Sequence, residues 1–153
     1  MTMRFACDAM LGRLARWLRL SGYDTAYGVE AGDDELLRLC RSEGRLLLTR
    51  DGALACRAAK AGASVVLLKS EHIEEQLAQL VRELGIRLRE SPERSLCPLC
   101  NSMLVRAEVE RLPEAALERE VYTCTGCGRL YWEGRHWRSI AERVRRIEEK
   151  VRG

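Results

Sequence analysis

Four cysteines, arranged as two C-x-x-C pairs, carry the most specific chemical signal in this 153-residue sequence. The pairs are Cys97/Cys100 and Cys124/Cys127, with residues 101–123 between them. A two-residue gap lets a tight turn aim two thiolates at one ion, and two such turns complete a tetrahedral sulfur site. Four protein ligands leave no open coordination position, so we predict a structural zinc ion, with rubredoxin-like iron as the alternative.

The residues around these pairs predict the strands of a zinc ribbon. Met103-Leu104-Val105 and Glu120-Val121-Tyr122 can supply two strands between the pairs, and Leu130-Tyr131-Trp132 can supply a third. Gly126 and Gly128 suit the tight turn of the second pair, because glycine accepts positive φ.

Acidic residues recur at three points in the first half of the chain. Asp8 follows the predicted strand residues "RFAC", Asp33-Asp34-Glu35 opens a helical pattern, and Asp51 follows "RLLLT". Ligand sites in parallel α/β sheets form at the carboxyl ends of the strands, so adjacent strands would bring these carboxylates together. A divalent cation would relieve the repulsion between the carboxylates. Bound Mg²⁺ or Mn²⁺ can activate water for phosphoryl transfer. Thr49 could orient a carboxylate or this water. The alternative is a structural role for each aspartate, such as a helix cap.

Arginines and aromatic residues suit contact with RNA at two places. Arg13, Arg16 and Arg19 lie off the apolar face of the first predicted helix, and Arg50 precedes Asp51. Arginine contacts phosphate and aromatic rings stack on bases, so the segment after the ribbon is a second candidate. Alternatively, its aromatic residues pack the ribbon against the rest of the protein. Its candidate RNA-binding residues are Arg129, Trp132, Arg135, His136 and Trp137.

The elements that must position these groups alternate between strand and helix. The predicted strands are Arg4–Asp8, Tyr23–Val29, Arg45–Thr49 and Ser64–Leu68. The predicted helices are Met10–Leu20, a helix opening at Asp33, Gly52–Ala61 and Glu71–Leu84. Continuous apolar strands that alternate with amphipathic helices indicate a three-layer α/β/α domain with a parallel sheet buried on both faces.

A boundary follows these elements, because residues 88–96 ("LRESPERSL") are charged and contain a proline. We therefore predict an α/β domain at 1–90 and a zinc ribbon with a basic C-terminal helix at 91–153. Ile140, Val144, Ile147 and Val151 form one face of this last helix, which favours docking on the rest of the protein.

Composition excludes several classes of protein. The chain is 46% hydrophobic and 32% charged, which argues against disorder, and it has no apolar run near the roughly 20 residues of a membrane-spanning helix. Its start lacks a signal peptide, so we expect a cytoplasmic protein without a membrane partner. The seven cysteines are then unlike a disulfide framework, and Cys7, Cys40 and Cys56 are expected to be buried thiols. The net charge of +3 comes entirely from residues 94–153.

Three blocks together resemble one known family. "MRFACDAMLGRLARWLRLSGYDT", "DDELLRLCRSEGRLLLTRD" and "CPLC...CTGCGRLYWEGRHW" are similar to the PIN-like RNase domain of the Mut-seven exonuclease C-terminus, which also occurs as a stand-alone prokaryotic protein. The resemblance covers nearly the whole chain. It implies a PIN-like α/β/α domain with an appended zinc ribbon and metal-dependent ribonuclease activity. Its acidic positions fall on Asp8, Asp33, Asp34 and Asp51, and its zinc ligands on Cys97, Cys100, Cys124 and Cys127.

The resulting hypothesis is a hydrolase that cleaves RNA phosphodiester bonds. Asp8, Asp33 or Asp34, and Asp51 would bind Mg²⁺ or Mn²⁺, and Arg13, Arg16 and Arg50 would position phosphate. One rival is a non-catalytic adapter that binds RNA or the ribosome through the ribbon, and another is a toxin-like PIN protein with a protein partner. The sequence leaves open the RNA target, the cleavage polarity and the oligomeric state.

Overall fold

A four-stranded parallel sheet between two layers of helices forms the first part of the protein, seen in a computed structural model that describes residues 3–28, 32–107, 114–116 and 119–153. The strands of this sheet are β1 (Phe5–Cys7), β2 (Thr25–Ala26), β3 (Leu46–Thr49) and β4 (Val65–Leu67). The helices that connect and cover them are α1 (Gly12–Leu20), α2 (Asp33–Glu43), α3 (Gly52–Lys60) and α4 (Ile73–Leu84). This confirms the predicted α/β class, although β2 is shorter than expected, and Val29 lies outside the described residues.

The two central strands explain the continuous apolar runs in the sequence, because they direct alternate side chains to opposite faces. Phe5 of β1 and Leu48 of β3 join the core beneath α1 and α4. Ala6 and Leu47 join the core beneath α2 and α3. All four are fully buried, so both faces of these strands favour apolar residues at these positions.

The edge strand β4 departs from the prediction. It pairs only with β3 in the sheet order β2-β1-β3-β4, and Leu67 is 46% exposed. The expectation that "SVVLL" is a buried strand is therefore wrong for β4, because a strand at the end of the sheet has neighbours on one side only. Leu68, just beyond it, is buried.

The order of the strands creates a switch point in the middle of the sheet. β1 pairs with β2 on one side and with β3 on the other, all in parallel. The chain leaves β1 through α1 on one face and returns to β3 through α2 on the other. In such sheets the crevice at the carboxyl ends of the two strands flanking the reversal is the usual ligand site. Here these strands are β1 and β3.

The second part of the protein is the predicted ribbon, a three-stranded antiparallel sheet. Its strands are β5 (Leu104–Ala107), β6 (Val121–Cys124) and β7 (Leu130–Trp132), in that order. A small core of Cys97, Leu104, Tyr122 and Cys124 holds it together, and Tyr131 packs against this core.

The segment that joins the sheet to the ribbon is packed on the C-terminal end of α1. Pro92 and Ser95 are buried. The Ser95 hydroxyl donates to the backbone oxygen of Leu20, and Arg89 Nε donates to that of Ser21 at 2.9 Å. The charged composition of this segment predicted a linker, but its proline and serine serve as packing residues.

A buried arginine joins the ribbon to the sheet. Arg19 is 7% exposed, and it donates from Nε to the backbone oxygen of Thr25 and from Nη1 to that of Pro98, both at 3.0 Å. The expectation that Arg19 lies on the polar face of α1 with Arg13 and Arg16 is therefore wrong. Its guanidinium satisfies carbonyl groups that the junction removes from water.

An asparagine at the end of the first cysteine turn makes a second connection. Asn101 adopts a left-handed conformation with φ of 70°, accepts from the Thr25 backbone N–H at 3.0 Å and donates to Asp24 Oδ1 at 2.7 Å. Burial alone would raise the pKa of Asp24, but hydrogen bonds from Asn101 and Arg45 hold this pKa below its usual value.

The C-terminal helix α5 (Arg135–Arg152) belongs to the core of the first part. Trp137, Ile140, Val144 and Ile147 are buried in the same cluster as the apolar faces of α1 and α4. The predicted docking of this helix is thus confirmed. The ribbon is therefore inserted in the sequence between two segments, α1–α4 and α5, that share one hydrophobic core.

Two further expectations concern buried thiols and membranes. Cys7 and Cys40 are buried as predicted, but Cys56 is exposed on α3, so its predicted burial is wrong. None of the helices within the described residues is long and apolar enough to cross a membrane.

Candidate functional site

At the carboxyl ends of β1 and β3, Thr49 links the Asp8 carboxylate to the backbone of Asp51. The Asp51 backbone N–H donates to Thr49 Oγ at 3.0 Å, and the Thr49 hydroxyl donates to Asp8 Oδ2. Thr49 is fully buried, and it lies 41 positions from Asp8 in the sequence. Strand pairing between β1 and β3, with Cys7 opposite Leu48, makes this contact. The predicted role of Thr49 in orienting a carboxylate therefore has a structural counterpart.

Asp51 has a structural role as well. It is the N-cap of α3, and its Oδ1 accepts from the backbone N–H groups of Ala53 at 2.9 Å and Leu54 at 3.2 Å. The side chain is exposed, and its Oδ2 receives no hydrogen bond from the described residues. The cap therefore orients the carboxylate and leaves one oxygen available for a ligand.

Asp33 and Asp34 open α2, as predicted, but their carboxylates contact Arg57 of α3. Asp34 accepts a hydrogen bond from Arg57 of α3, and Asp33 Oδ2 lies 3.9 Å from the same guanidinium. Asp34 is largely exposed and lines a cavity of about 840 Å³ between α2 and α3. The structure thus pairs these carboxylates with an arginine, and their convergence with Asp8 and Asp51 on one ion remains a prediction.

The four predicted zinc ligands form a much closer group. Cys97, Cys100, Cys124 and Cys127 place all their Sγ atoms within 4.8 Å of one another, and no other set of three or more metal-ligating side chains in the described residues is this tight. The Cys97–Cys127 and Cys100–Cys124 sulfur separations are 3.7 and 3.3 Å. A tetrahedron with zinc–sulfur bonds of about 2.3 Å has edges of about 3.8 Å. The residues therefore fit a tetrahedral zinc ion.

The surroundings of the cysteines favour the thiolate form of two of them. Hydrogen bonds from the Ser102 side chain and backbone, and then from Cys124, lower the pKa of Cys100 to about 6. The backbone N–H and the guanidinium of Arg129 lower the pKa of Cys127. Burial raises the pKa of Cys124 to about 11, so this ligand requires the metal to lose its proton at neutral pH.

The second cysteine turn depends on close backbone approach. The backbone N–H groups of Gly126 and Cys127 donate to Cys124 Sγ at 3.3 and 3.4 Å. A Cβ atom at Gly126 would lie 2.9 Å from the Ser102 Cβ and 3.2 Å from Cys100 Sγ. Only glycine therefore lets the two turns approach each other.

Three of the predicted RNA-binding residues meet in one cleft, which we call the basic cleft. Arg13 and Arg16 come from α1 and His136 from the first turn of α5. The cleft has a volume of about 340 Å³, and Pro98 and Leu99 of the first cysteine turn contribute a third side. The other lining residues are Trp17, Leu20, Ser139, Ile140 and Arg143.

The remaining RNA candidates separate into exposed and buried residues. Arg50 and Arg129 are exposed, and Trp132 and Arg135 line a cavity of about 330 Å³ that shares His136 with the basic cleft. Trp137 is 3% exposed and packs in the core, so the structure assigns it the packing role that was the alternative. It is no longer a candidate for stacking on a base.

Sequence reasoning missed two arginines that now accompany these sites. Arg57 pairs with Asp33 and Asp34, and Arg143 lies 5.3 Å from the ring centroid of Trp17. Neither arginine has a distinctive sequence neighbour, because both contacts are tertiary. Asn101 was also missed, although an asparagine directly after C-x-x-C is a recognisable signal for a left-handed turn residue.

The comparison with protein families agrees with this arrangement. A family model described as the Mut7-C RNAse domain matches residues 3–144, which includes the parallel sheet, the ribbon and part of α5. No curated protein and no solved structure matches the chain.

Proposed function

The chain belongs to the Mut7-C RNAse domain family, and we propose that it hydrolyses RNA phosphodiester bonds with Mg²⁺ or Mn²⁺ held at the carboxyl edge of β1 and β3. The observation that carries the proposal is that Thr49 links the Asp8 carboxylate to the backbone N–H of Asp51 at the switch point of the sheet, so both aspartates lie at the same edge. These are hard oxygen ligands of the kind that both cations prefer.

The protein groups at this edge have distinct tasks in the proposal. Thr49 Oγ accepts from the Asp51 backbone N–H, so its own proton is directed to Asp8, and the Asp8 carboxylate is held in one orientation. The first turn of α3 holds Asp51, whose Oδ2 faces no donor among the described residues. Arg50 lies exposed beside it and positions a phosphate. A bound cation supplies an activated water and stabilises the developing negative charge.

Asp33 and Asp34 take a secondary place in this proposal. Their carboxylates already share the Arg57 guanidinium, which reduces their need for a cation. They contribute negative charge at the amino end of α2, and one of them would serve as a further ligand of a bound cation.

The direct test is cleavage of single-stranded RNA in Mn²⁺ by the wild type and by Asp51→Asn. Asparagine caps a helix about as well as aspartate, so the substitution preserves α3 while it removes the charged ligand. We expect the rate to fall by about 100-fold or more, which corresponds to about 2.7 kcal/mol. Glu149→Gln is the matched control, because it also changes an exposed acid into an amide, on α5 and outside the acidic cluster.

The competing function is a non-catalytic RNA-binding adapter, and the capping role of Asp51 is the observation that favours it. An adapter needs Asp51 only as a cap. RNA binding without cleavage in Mn²⁺ would support the adapter, and cleavage that Asp51→Asn leaves intact would remove Asp51 from the mechanism. A toxin-like protein would instead copurify with a protein partner.

A further inference from the structure

The basic cleft is built from three separate parts of the chain. α1 contributes Arg13 and Arg16, the first cysteine turn contributes Pro98 and Leu99, and α5 contributes Arg143. Residues three positions apart share a face of a helix, so Arg13 and Arg16 project side by side, with Cβ atoms about 5–6 Å apart. The cleft therefore forms only when the ribbon and α5 dock on α1.

The charge of the basic cleft is of one sign. Arg13, Arg16, Arg143 and His136 line it, and none of its lining residues is acidic. Arg13 and Arg16 are exposed and form no ion pair with the described residues. The larger cavity between α2 and α3 differs, because Asp34 there already pairs with Arg57. Arg13 and Arg16 of the basic cleft thus lack an acidic partner among the residues described, whereas Arg143 pairs with Glu74.

One cation of the cleft is held in position. Arg143 lies over the Trp17 ring at 5.3 Å, and its Nη2 is 3.8 Å from Glu74 Oε2. A guanidinium fixed in this way presents a flat face, and bases stack on such faces in single-stranded RNA complexes. Leu99 is 49% exposed at the tip of the cysteine turn and adds an apolar wall beside it.

We propose that the basic cleft binds one nucleotide of single-stranded RNA, with a phosphate on Arg13 and Arg16 and the base against Leu99 and Arg143. Its volume of about 340 Å³ is that of a small-ligand site. The adjoining start of α1 follows directly on Asp8, whose backbone oxygen accepts from Leu11 N–H at 3.1 Å. In this proposal, a strand held on Arg13 continues toward the β1–β3 edge, because Arg13 lies five positions after Asp8. This inference rests on RNA as the substrate in the proposed function.

Binding is measured with the zinc-loaded full chain and a fluorescent single-stranded oligouridylate, without added Mg²⁺ or Mn²⁺. The double variant Arg13→Ala/Arg16→Ala should bind at least tenfold more weakly. The two arginines share one phosphate in this proposal, and its loss lowers the salt dependence of binding to a single strand, so the slope of log affinity against log salt should fall in magnitude by roughly 0.7.

The matched control is Arg41→Ala/Arg145→Ala, which removes the same charge from exposed positions outside the basic cleft. It should change affinity by less than twofold. An equal loss in both double variants would overturn the proposal, because it would indicate attraction to the general surface charge. Unchanged thermal unfolding of both variants shows that the fold is retained.

The apolar wall is tested by Leu99→Ser against Met103→Ser, another exposed apolar residue of the ribbon. Leu99→Ser should weaken RNA binding several-fold with an unchanged salt slope and an unchanged zinc content, and Met103→Ser should have no effect. Polyglutamate that displaces RNA as well as unlabelled oligouridylate does would indicate a general polyanion or acidic-protein site and overturn the nucleotide assignment.

The two proposals fail in different ways. RNA binding that depends on the basic cleft, without cleavage in Mn²⁺, would refute the proposed ribonuclease activity and support the nucleotide site. Cleavage in Mn²⁺ together with RNA affinity that is unchanged in Arg13→Ala/Arg16→Ala would refute the nucleotide site and support the ribonuclease activity. If both hold, Arg13→Ala/Arg16→Ala should raise KM with little change in kcat, because these side chains bind the strand away from the scissile bond.

Discussion

The cysteine cluster and the acidic edge are two candidate metal sites of opposite character within one chain. The four cysteine sulfurs lie within 4.8 Å of one another, and together they fit a four-coordinate metal site. At the acidic edge, Asp8 and Asp51 meet through Thr49, while Asp33 and Asp34 are engaged by Arg57. One site is complete in the protein alone, and the other is partly assembled.

This difference follows from the tasks that the two sites suit. A structural ion requires every coordination position to be filled by the protein, and it then contributes to folding. A catalytic Mg²⁺ or Mn²⁺ requires few protein ligands, because water and substrate oxygens must reach it. An incomplete carboxylate set beside a basic cleft therefore matches a site that substrate completes.

Among the variants that test the contrast between the two sites, Cys124→Ser should have the largest effect on metal content and stability. We expect loss of the zinc, measured as metal per chain, and unfolding of the ribbon, measured by circular dichroism and thermal denaturation. Structural zinc contributes on the order of 10 kcal/mol in small metal-dependent folds. Elemental analysis of the wild type also distinguishes zinc from iron.

Cys56→Ser is the control for that loss, because Cys56 is an exposed thiol on α3 outside the cluster. It should retain the metal and the stability of the wild type. Stoichiometric zinc in Cys124→Ser would contradict the four-cysteine ligand set.

A comparison of Asp8→Asn with Asp34→Asn sharpens the account of the acidic edge. Asp8 is held by Thr49 at the switch point, so its loss should lower kcat/KM by about 100-fold, or about 2.7 kcal/mol. Asp34 pairs with Arg57, so its loss should cost about tenfold or less. RNA cleavage rates measured over a range of Mn²⁺ concentrations test this order. The reverse order would place the metal at the amino end of α2.

Gly126→Ala tests how rigid the closed site is. The new Cβ would crowd Cys100 Sγ and the Ser102 side chain, and the hydrogen bonds to Cys124 Sγ restrain the backbone. We expect a loss of about 1–3 kcal/mol in the free energy of unfolding, together with faster release of zinc to a chelator.

Gly52→Ala serves as the comparison for this smallest effect, because a Cβ atom there meets nothing within 4 Å and its φ is not positive. Its stability should match or slightly exceed that of the wild type, since alanine favours a helix over glycine. Equal behaviour of the two variants would show that the cysteine turns adapt to added volume.

The predictability of the two sites differs for a physical reason. Cys97 and Cys100 lie within one turn, so their common direction follows from local backbone geometry and is readable from spacing. Asp8 and Asp51 meet because β1 and β3 pair, and no local pattern specifies which strands become neighbours. The burial of Cys56 was predicted incorrectly, and the sequence left two roles open for Trp137. Both depend on which part of the protein packs against a given face of the helix.

The sequence by itself determined the alternation of helices and strands, the two cysteine turns and the acidic residues that end strands or open helices, because these depend on local periodicity and spacing. Only the tertiary structure decided that β1 and β3 are adjacent, that Arg57 engages Asp33 and Asp34, and that α5 returns to the first core. The same packing brought Arg13, Arg16 and Arg143 into the basic cleft. Such contacts join distant parts of the chain, and their selection depends on the burial of the whole fold.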